Sequence, residues 1–313
     1  MILDIVLIIA GIALVLWGAD RLTDGAVSIA KRLKISEIVI GLTIVAMGTS
    51  MPEFCISLVS ALKGTSDLAV GNVLGSNIMN TLLIVGVTAA IAPMTILRST
   101  VNKDIPWVLV ASAMLIVLCI DKTLARVDAI ILAVAFAVFM FYTLKGAHNG
   151  QAETPAEEEG KKTQSPLMAA GFIILGLACL IIGSNLFVDA ATRVAQSLGV
   201  SEAIIGLTIV AGGTSLPELA TSVVAARKGQ SDIAIGNVIG SNVFNILLIL
   251  GVTGIVCPME INGITPIDYG MMALSTFMLW LFSFTKYKVE RWEGAVLTAT
   301  YIAYLGWLLY NAI

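Results

Sequence analysis

The sequence is a series of long apolar runs separated by short polar breaks. Each run is about 20 residues long, the length that an α-helix needs to cross a hydrocarbon layer of ~30 Å. Membrane barrel strands are only about 10 residues long, so the runs predict helices. The predicted spans are residues 2–30, 36–62, 68–94, 105–120, 127–145, 167–195, 201–226, 233–257, 269–285 and 292–312.

Composition points to the same class of protein. Hydrophobic residues make up 58% of the chain and charged residues 12%, and the mean hydropathy is +0.96. Soluble domains carry about 25% charged residues. We therefore predict an all-α integral membrane protein with ten transmembrane helices. The first apolar run lacks a small-residue cleavage pattern, so it is expected to remain as the first helix rather than be removed as a signal peptide.

Several function classes are disfavoured by what the sequence contains. His148 is the only histidine, so an imidazole metal site is not expected. The net charge of −3 and the absence of a basic stripe outside the membrane flanks argue against nucleic-acid binding. With no nucleophile–base pair and no cofactor motif, we predict neither an enzyme nor a resident cofactor, and no protein partner is implied. The cysteines lack paired spacing and are expected to be small buried side chains: Cys55, Cys119, Cys179 and Cys257.

One block of sequence occurs twice. Residues 36–88 match residues 201–253 without a gap at 35 of 53 positions, each 165 positions later. Five predicted spans separate corresponding points, and five is odd, so the second copy must cross the membrane in the opposite direction. We therefore predict two inverted five-helix repeats, residues 1–145 and 167–313, joined by a polar linker at 146–166. Secondary transporters with this arrangement bind substrate near the midplane, between the repeats.

Lysine and arginine between the spans predict the orientation, because cytoplasmic loops carry the excess of these residues. Thirteen lie in the loops on one side of the predicted topology and four on the other. The richer side is therefore predicted to be cytoplasmic. This places both termini outside and the linker at 146–166 in the cytoplasm of a multi-pass plasma-membrane protein.

Each copy of the block places a glutamate beside a helix-breaking proline. Gly-Thr-Ser-Met-Pro-Glu begins at Gly48, and Gly-Thr-Ser-Leu-Pro-Glu begins at Gly213. Proline lacks an N–H and its ring opposes the carbonyl four residues back, so a break is predicted near each glycine. Burying a charge at membrane depth costs about 2.5 kcal/mol or more. Its interaction with the helix dipole stabilises it by at most ~2 kcal/mol. Glu53 and Glu218 are therefore predicted to bind a cation.

Hydroxyl groups and freed carbonyls adjoin each glutamate in this motif. Positions three and four residues apart share one helix face, so these oxygens are expected to converge within one turn. An all-oxygen set suits a hard cation such as Ca²⁺ or Na⁺. The candidate hydroxyls belong to Thr49, Ser50, Thr214 and Ser215.

The span after each glutamate motif adds amides and a further hydroxyl. A serine and the asparagine four residues after it share one face in each copy, together with an asparagine one turn earlier. The asparagine directly after the serine points about 100° away. It serves either as a ligand or as a bond to a neighbouring helix. The first face carries Asn72, Ser76, Asn80, Asn237, Ser241 and Asn245, and the residues pointing away are Asn77 and Asn242.

These doubled motifs, Gly-Leu-Thr, Gly-Thr-Ser-x-Pro-Glu and Gly-Ser-Asn-x-x-Asn, resemble the α-repeats of sodium/calcium exchangers, in the calcium/cation antiporter superfamily. The resemblance covers nearly the whole chain. It implies ten helices, with the first and sixth long, tilted and sliding over a fixed core to alternate access. Bacterial and archaeal members are closest in length, which implies a prokaryotic inner membrane.

The resemblance also implies a set of ion ligands. They are the side chains of Thr49, Ser50, Glu53, Ser76, Asn80, Thr214, Ser215, Glu218 and Ser241 and the carbonyls of Ala46 and Ala211. The sequence departs from the family pattern at Asn245, where these exchangers typically have an aspartate. The site then holds two carboxylates, whose charge one Ca²⁺ or two monovalent ions neutralise. This predicts a coupling of two monovalent ions per Ca²⁺.

The sequence as a whole predicts a secondary antiporter that exchanges Ca²⁺ for Na⁺ by alternating access. The alternative is a Ca²⁺/H⁺ antiporter, in which the same two glutamates take up protons. A cation channel is less favoured, because inverted repeats and broken helices are typical of transporters. The expected partners are Ca²⁺, Na⁺ or H⁺, and the lipid bilayer.

Overall fold

The computed structural model describes residues 2–148, 165–199, 209 and 211–312. Two expectations lie partly outside these residues. The first is most of the linker predicted at 146–166, and the second is the opening part of the span predicted at 201–226.

Helices form nearly all of the described chain. In the first half they are α1 Ile2–Leu33, α2 Glu37–Thr49, α3 Met51–Leu62, α4 Ser66–Ile91, α5 Thr100–Leu118 and α6 Arg126–His148. In the second half they are α7 Pro166–Ser197, α8 Ala211–Thr214, α9 Leu216–Arg227, α10 Ser231–Val256, α11 Pro266–Ser283 and α12 Arg291–Ala312. Six described helices are long and apolar enough to span a membrane, or seven if α2 and α3 form one bent span.

Where the chain is described, the predicted spans coincide with helices except at some ends and at the interruptions within 36–62 and 201–226. The largest difference is at α5, which begins at Thr100 rather than at 105 because Thr100–Asp104 forms a π-helical turn. That turn contains Asn102, Lys103 and Asp104, so the apolar run begins only after the helix has begun. Polar residues at a membrane edge therefore conceal the first turn of this helix from the sequence pattern.

Four two-residue strands pair in the loops, although the sequence predicts none. They are β1 Met94–Thr95, β2 Thr123–Leu124, β3 Met259–Glu260 and β4 Lys288–Val289. Strand β1 pairs antiparallel with β4, and β2 pairs antiparallel with β3. Strands of two residues are too short to show a period-2 pattern. Each pairing also joins loops from opposite halves of the chain, which neither loop reveals alone.

The two strand pairs are equivalent to each other. Adding 165 to the residue numbers of β1 gives β3, and adding 165 to those of β2 gives β4. The loops of β1 and β4 both belong to the set predicted to be cytoplasmic, and those of β2 and β3 to the set predicted to be outside. Loops assigned to the same side therefore contact each other.

Helices α1 and α7 pack closely along each other at small residues. A Cβ atom added to Gly18 would lie 2.8 Å from the Gly176 carbonyl oxygen, and one added to Gly11 would lie 2.7 Å from the Gly183 carbonyl oxygen. Only glycine permits such a close approach of two helix backbones. The most apolar window of α1 is only 22% buried, so this pair lies at the periphery of the protein.

Helices α4 and α10 form the centre of the molecule. Their most apolar windows are 72% and 83% buried, the highest values among the candidate spans of the described chain. The same two helices carry the serine and asparagine residues singled out from the sequence. The polar residues therefore lie where the protein is most enclosed.

Candidate functional site

Both glutamate motifs lie where a helix is interrupted. Helix α2 ends at Thr49 and α3 begins at Met51, with a bend of 47° between them. Ser50 lies at this break, two residues after the predicted position at Gly48, because proline is tolerated in the first turn of a helix. Pro52 therefore begins a new helix instead of kinking the old one. Ser215 separates α8 from α9 in the same way.

The breaks bring the two glutamates into contact with opposite halves of the chain. Glu53 and Glu218 are each 1% exposed. The Ser50 hydroxyl donates to Glu218 Oε1 at 3.2 Å, and the Ser215 hydroxyl donates to Glu53 Oε1 at 3.3 Å. The four side chains predicted from the two motifs thus form one cluster between the halves.

Several buried oxygens in this region have no hydrogen-bond partner. They are Glu53 Oε2, Glu218 Oε2, Asn80 Oδ1, Asn245 Oδ1 and Ser241 Oγ. Burying a polar group without a partner is unfavourable, and burying an unpaired charge is more so. Each of these oxygens has a free lone pair that a cation can accept.

The packing of α3 on α4 places the asparagine of α4 near the glutamate of α3. The two helices run antiparallel, and Ser57 donates to the Ala69 carbonyl at 3.1 Å while Asn72 Nδ2 donates to the Glu53 carbonyl at 3.2 Å. Continuing one turn along each helix from these contacts brings Ser50 level with Ser76. The packing therefore places predicted ligands of both helices at neighbouring turns.

Asn72 and Asn237 support the two glutamate helices. Asn72 Nδ2 also donates to Ser57 Oγ at 3.0 Å. Asn237 Nδ2 donates to the Glu218 carbonyl at 3.3 Å and to Ser222 Oγ at 3.1 Å. These amides hold the first turns of α3 and α9 against α4 and α10.

The asparagines that point away from the predicted ligand face bond across the two halves. Asn80 Nδ2 donates to Asn242 Oδ1 at 3.1 Å, and Asn245 Nδ2 donates to Asn77 Oδ1 at 2.9 Å. Of the two roles left open by the sequence, the structure places Asn77 and Asn242 in interhelical bonds.

A π-helical turn lies at each asparagine predicted to be a ligand. Asn80 begins the π turn Asn80–Ile84, and Asn245 lies within the π turn Phe244–Ile249. Turns of this kind often occur at functional sites. The sequence does not predict them, because the run of apolar residues continues through each turn.

The remaining predicted ligands have varied surroundings. Thr49 Oγ1 lies 3.0 Å from Asn237 Oδ1 and 3.2 Å from the Val45 carbonyl, so its proton is directed to these acceptors. The Ala46 carbonyl already accepts from the Ser50 N–H at 3.0 Å. Ser76 is 6% exposed.

In the second half, Thr214 is half-buried at the end of α8. Ala211 begins α8, and its side chain lies outside the described residues. The Gly213 carbonyl that Pro217 frees accepts a hydrogen bond from the Ser184 hydroxyl of α7. That carbonyl is therefore already occupied, unlike the free carbonyl that the sequence predicts there.

The chemistry of the site is that of hard oxygen ligands. Within the described ranges, no three histidine, cysteine, aspartate or glutamate side chains come together. The candidate site consists instead of two carboxylates with hydroxyl and amide oxygens. Oxygen ligands of this kind favour Ca²⁺ and Na⁺ over transition metals.

Known proteins resemble this chain over its whole length. CaxA of Alkalimonas amylolytica is 38% identical, covering 97% of this chain and 98% of the relative. The sodium/calcium exchanger MaX1 of Methanosarcina acetivorans is 33% identical, covering 98% and 99%. A structure of the sodium-calcium exchanger NCX_Mj, soaked with Na⁺ and Ca²⁺, matches with a TM-score of 0.85 at 29% identity and covers 98% of both chains.

The characteristic sequence pattern of one family occurs in each half of the chain. The pattern described as "Sodium/calcium exchanger protein" matches residues 3–145 and again residues 168–310. These two ranges contain both glutamate motifs and all four asparagines of the cross-half contacts. The chain therefore belongs to the sodium/calcium exchanger protein family.

Proposed function

We propose that this protein exchanges Ca²⁺ for Na⁺ across the plasma membrane as a secondary antiporter. The observation that carries the proposal is that Glu53 and Glu218 are buried, bonded to serines of the opposite halves, and each left with one carboxylate oxygen without a partner. Two carboxylates neutralise one Ca²⁺, and neutral oxygens complete its coordination shell of six to eight. The same oxygens accept Na⁺ when Ca²⁺ leaves. The proposed binding and exchange of these ions therefore uses protein oxygens alone and needs no cofactor.

The proposed architecture is two inverted repeats of five spans each, residues 1–145 and 167–313. Equivalent contacts 165 positions apart support it. The bond from Ser50 to Glu218 corresponds to the bond from Ser215 to Glu53. The pairing of β1 with β4 corresponds to that of β3 with β2. Such equivalence is expected when two similar halves are related by a pseudo-two-fold axis in the membrane plane.

We propose that α1 and α7 move as one unit to alternate access to the site. Both helices are 32 residues long and pack on each other through glycines. The close contacts at these glycines hold the two helices together as one unit. The core, with α4 and α10, then stays fixed while the pair slides.

The orientation is proposed from the distribution of basic residues, with both termini outside and the linker at 146–166 in the cytoplasm.

The number of Na⁺ ions exchanged per Ca²⁺ is proposed from the charge of the site. Two carboxylates neutralise two monovalent ions, and an additional cation in a poorly solvated site is unfavourable. Exchange of two Na⁺ per Ca²⁺ would therefore move little net charge, and an imposed membrane potential should hardly change the rate.

Calcium flux in proteoliposomes tests the proposal. Uptake of ⁴⁵Ca²⁺ should depend on an outward Na⁺ gradient and not on a pH gradient of equal size. Uptake driven only by the pH gradient would identify a Ca²⁺/H⁺ antiporter that protonates Glu53 and Glu218. Uptake that needs no counter-ion and follows the membrane potential would identify a cation channel.

A further inference from the structure

Asn77 and Asn242 lie outside the predicted ligand set, yet each contacts the ligand asparagine of the opposite half. Asn77 Oδ1 accepts from Asn245 Nδ2 at 2.9 Å, and Asn242 Oδ1 accepts from Asn80 Nδ2 at 3.1 Å. All four side chains are buried. Burying four amide side chains at the centre of a membrane protein costs free energy, and polar residues at such positions usually have a functional role.

An amide group has an oxygen end and a nitrogen end of nearly equal size, so only its partners fix which end faces a site. The partner of Asn77 is decisive. Asn77 Nδ2 donates to the main-chain carbonyl of Asn242 at 3.2 Å, and a carbonyl can only accept. The oxygen of Asn77 must then face Asn245. Asn245 therefore donates from its nitrogen to Asn77 Oδ1. Asn245 Oδ1 then faces the opposite way, where it has no hydrogen-bond partner.

The second pair reaches the same result through a different acceptor. Asn242 Nδ2 donates to Thr81 Oγ1 at 2.8 Å, and Asn242 Oδ1 accepts from Asn80; because a hydroxyl can also donate, this contact fixes the amide less strictly than the main-chain carbonyl fixes Asn77. Asn80 Oδ1 is then without a partner. The residue equivalent to Thr81 is Ile246, which has no hydroxyl, so Asn77 uses a main-chain carbonyl instead. Two different local solutions thus orient both ligand amides alike.

We propose that Asn77 and Asn242 are positioning residues that make Asn245 and Asn80 present oxygen, not nitrogen, to the transported cation. A cation is bound by an amide oxygen and repelled by an amide NH₂ group, so the orientation decides whether the side chain attracts or repels the ion. This inference rests on the proposed function, because orientation matters only where a cation binds.

A double-mutant cycle tests the inference. Asn77→Leu removes the acceptor at similar volume, and it should lower Ca²⁺ affinity about tenfold or more, the usual loss when the outer partner of a metal ligand is removed. Asn245→Asp alone sets a carboxylate oxygen against Asn77 Oδ1 and should also weaken binding. The double variant should bind Ca²⁺ more tightly than either single variant, because a carboxylate has oxygen at both ends and needs no orienting partner.

Equilibrium binding of ⁴⁵Ca²⁺ to the purified full-length protein is the measurement, and thermal unfolding without Ca²⁺ reports whether each variant folds. If Asn77 only packs, Asn77→Leu will cause the same loss in the wild-type and Asn245→Asp backgrounds, which would overturn the inference. The equivalent cycle, Asn242→Leu with Asn80→Asp, replaces the first if Asn77→Leu does not fold. Wild-type protein that binds no Ca²⁺ would overturn the proposed function, and this inference with it.

Discussion

The Ser50 hydroxyl donates a hydrogen bond to Oε1 of Glu218 at 3.2 Å, and the two residues come from opposite halves of the chain. The reciprocal bond joins Ser215 to Glu53. Each half therefore supplies one carboxylate and the hydroxyl that steadies the carboxylate of the other. Neither half can assemble this arrangement alone, which explains why the motif occurs twice.

This reciprocity predicts matched effects of two substitutions. Ser50→Ala and Ser215→Ala should each weaken Ca²⁺ binding by roughly tenfold, since a hydrogen bond to a charged group contributes about 1.5–3 kcal/mol. Titration of Na⁺-driven ⁴⁵Ca²⁺ uptake with external Ca²⁺ measures the change. A large loss in one variant and none in the other would contradict an equal role for the two halves.

The second prediction concerns the carboxylates themselves. Glu53→Gln and Glu218→Gln should each nearly abolish Ca²⁺ exchange, because an amide keeps the shape but cannot balance the charge of a buried divalent ion. Uptake in proteoliposomes is the measurement. Glu260→Gln is the matched control, because Glu260 is exposed in a loop strand and should transport normally. Near-normal uptake in either buried variant would remove that glutamate from the site.

The sequence predicted the helices well because lipid imposes a length and an apolar composition on every span. It also predicted that the side chains of both glutamate motifs belong to one site, since a carboxylate at membrane depth is costly and usually marks a functional site. Their roles as ligands stay predictions. The predicted break at Gly48 lies two residues before the observed one at Ser50, because local proline chemistry does not show which residue will end the first helix.

Contacts between the halves could not be predicted from either half alone. The donor and acceptor pattern of Asn77 and Asn242 depends on how α4 and α10 face each other. The pairing of β1 with β4 likewise depends on two loops that are far apart in sequence. Ser184, which caps the Gly213 carbonyl, has no counterpart at the equivalent position Ala19, so repetition in the sequence gives no hint of it.

A third prediction tests the close packing of α1 on α7. Gly176→Val should impair transport strongly, since even a Cβ atom there would lie 2.7 Å from the Leu22 nitrogen and 2.8 Å from the Gly18 oxygen. Gly171→Val is the control on the same helix, where an added Cβ meets nothing within 4 Å. Uptake should be normalised to the amount of folded protein. Equal activity of the two variants would argue against movement of the pair as a closely packed unit.

A fourth prediction tests the inverted topology. In a variant lacking the four native cysteines, Lys63→Cys should react with an impermeant thiol reagent only from outside. Lys228→Cys, at the equivalent position 165 residues later, should react only from the cytoplasmic side. Labelling of intact cells and of inverted vesicles distinguishes the sides. Reaction of both positions from one common side would disprove the inversion.

The last prediction concerns an ion pair present on one side of the molecule. Lys228 Nζ lies 2.6 Å from Asp20 Oδ1 and 2.8 Å from Asp24 Oδ1, so it joins the end of α9 to α1. The equivalent positions are Lys63, Asn185 and Asp189, so the opposite side has one carboxylate fewer to hold its lysine. The side predicted to be cytoplasmic therefore has one more carboxylate with which α1 can hold the lysine.

Lys228→Met should weaken the attachment of α9 to α1 and make the site easier to reach from the predicted cytoplasmic side. Each half-exposed ion pair contributes about 0.2–1 kcal/mol, so loss of both pairs should shift the population by about two-fold to thirty-fold. The half-saturating Ca²⁺ concentration, measured separately on each side of oriented vesicles, should fall on the predicted cytoplasmic side relative to the other. Lys63→Met is the matched control and should change this ratio less, because its side lacks the second carboxylate. An identical response of the two lysine variants would show that the ion pair does not bias access.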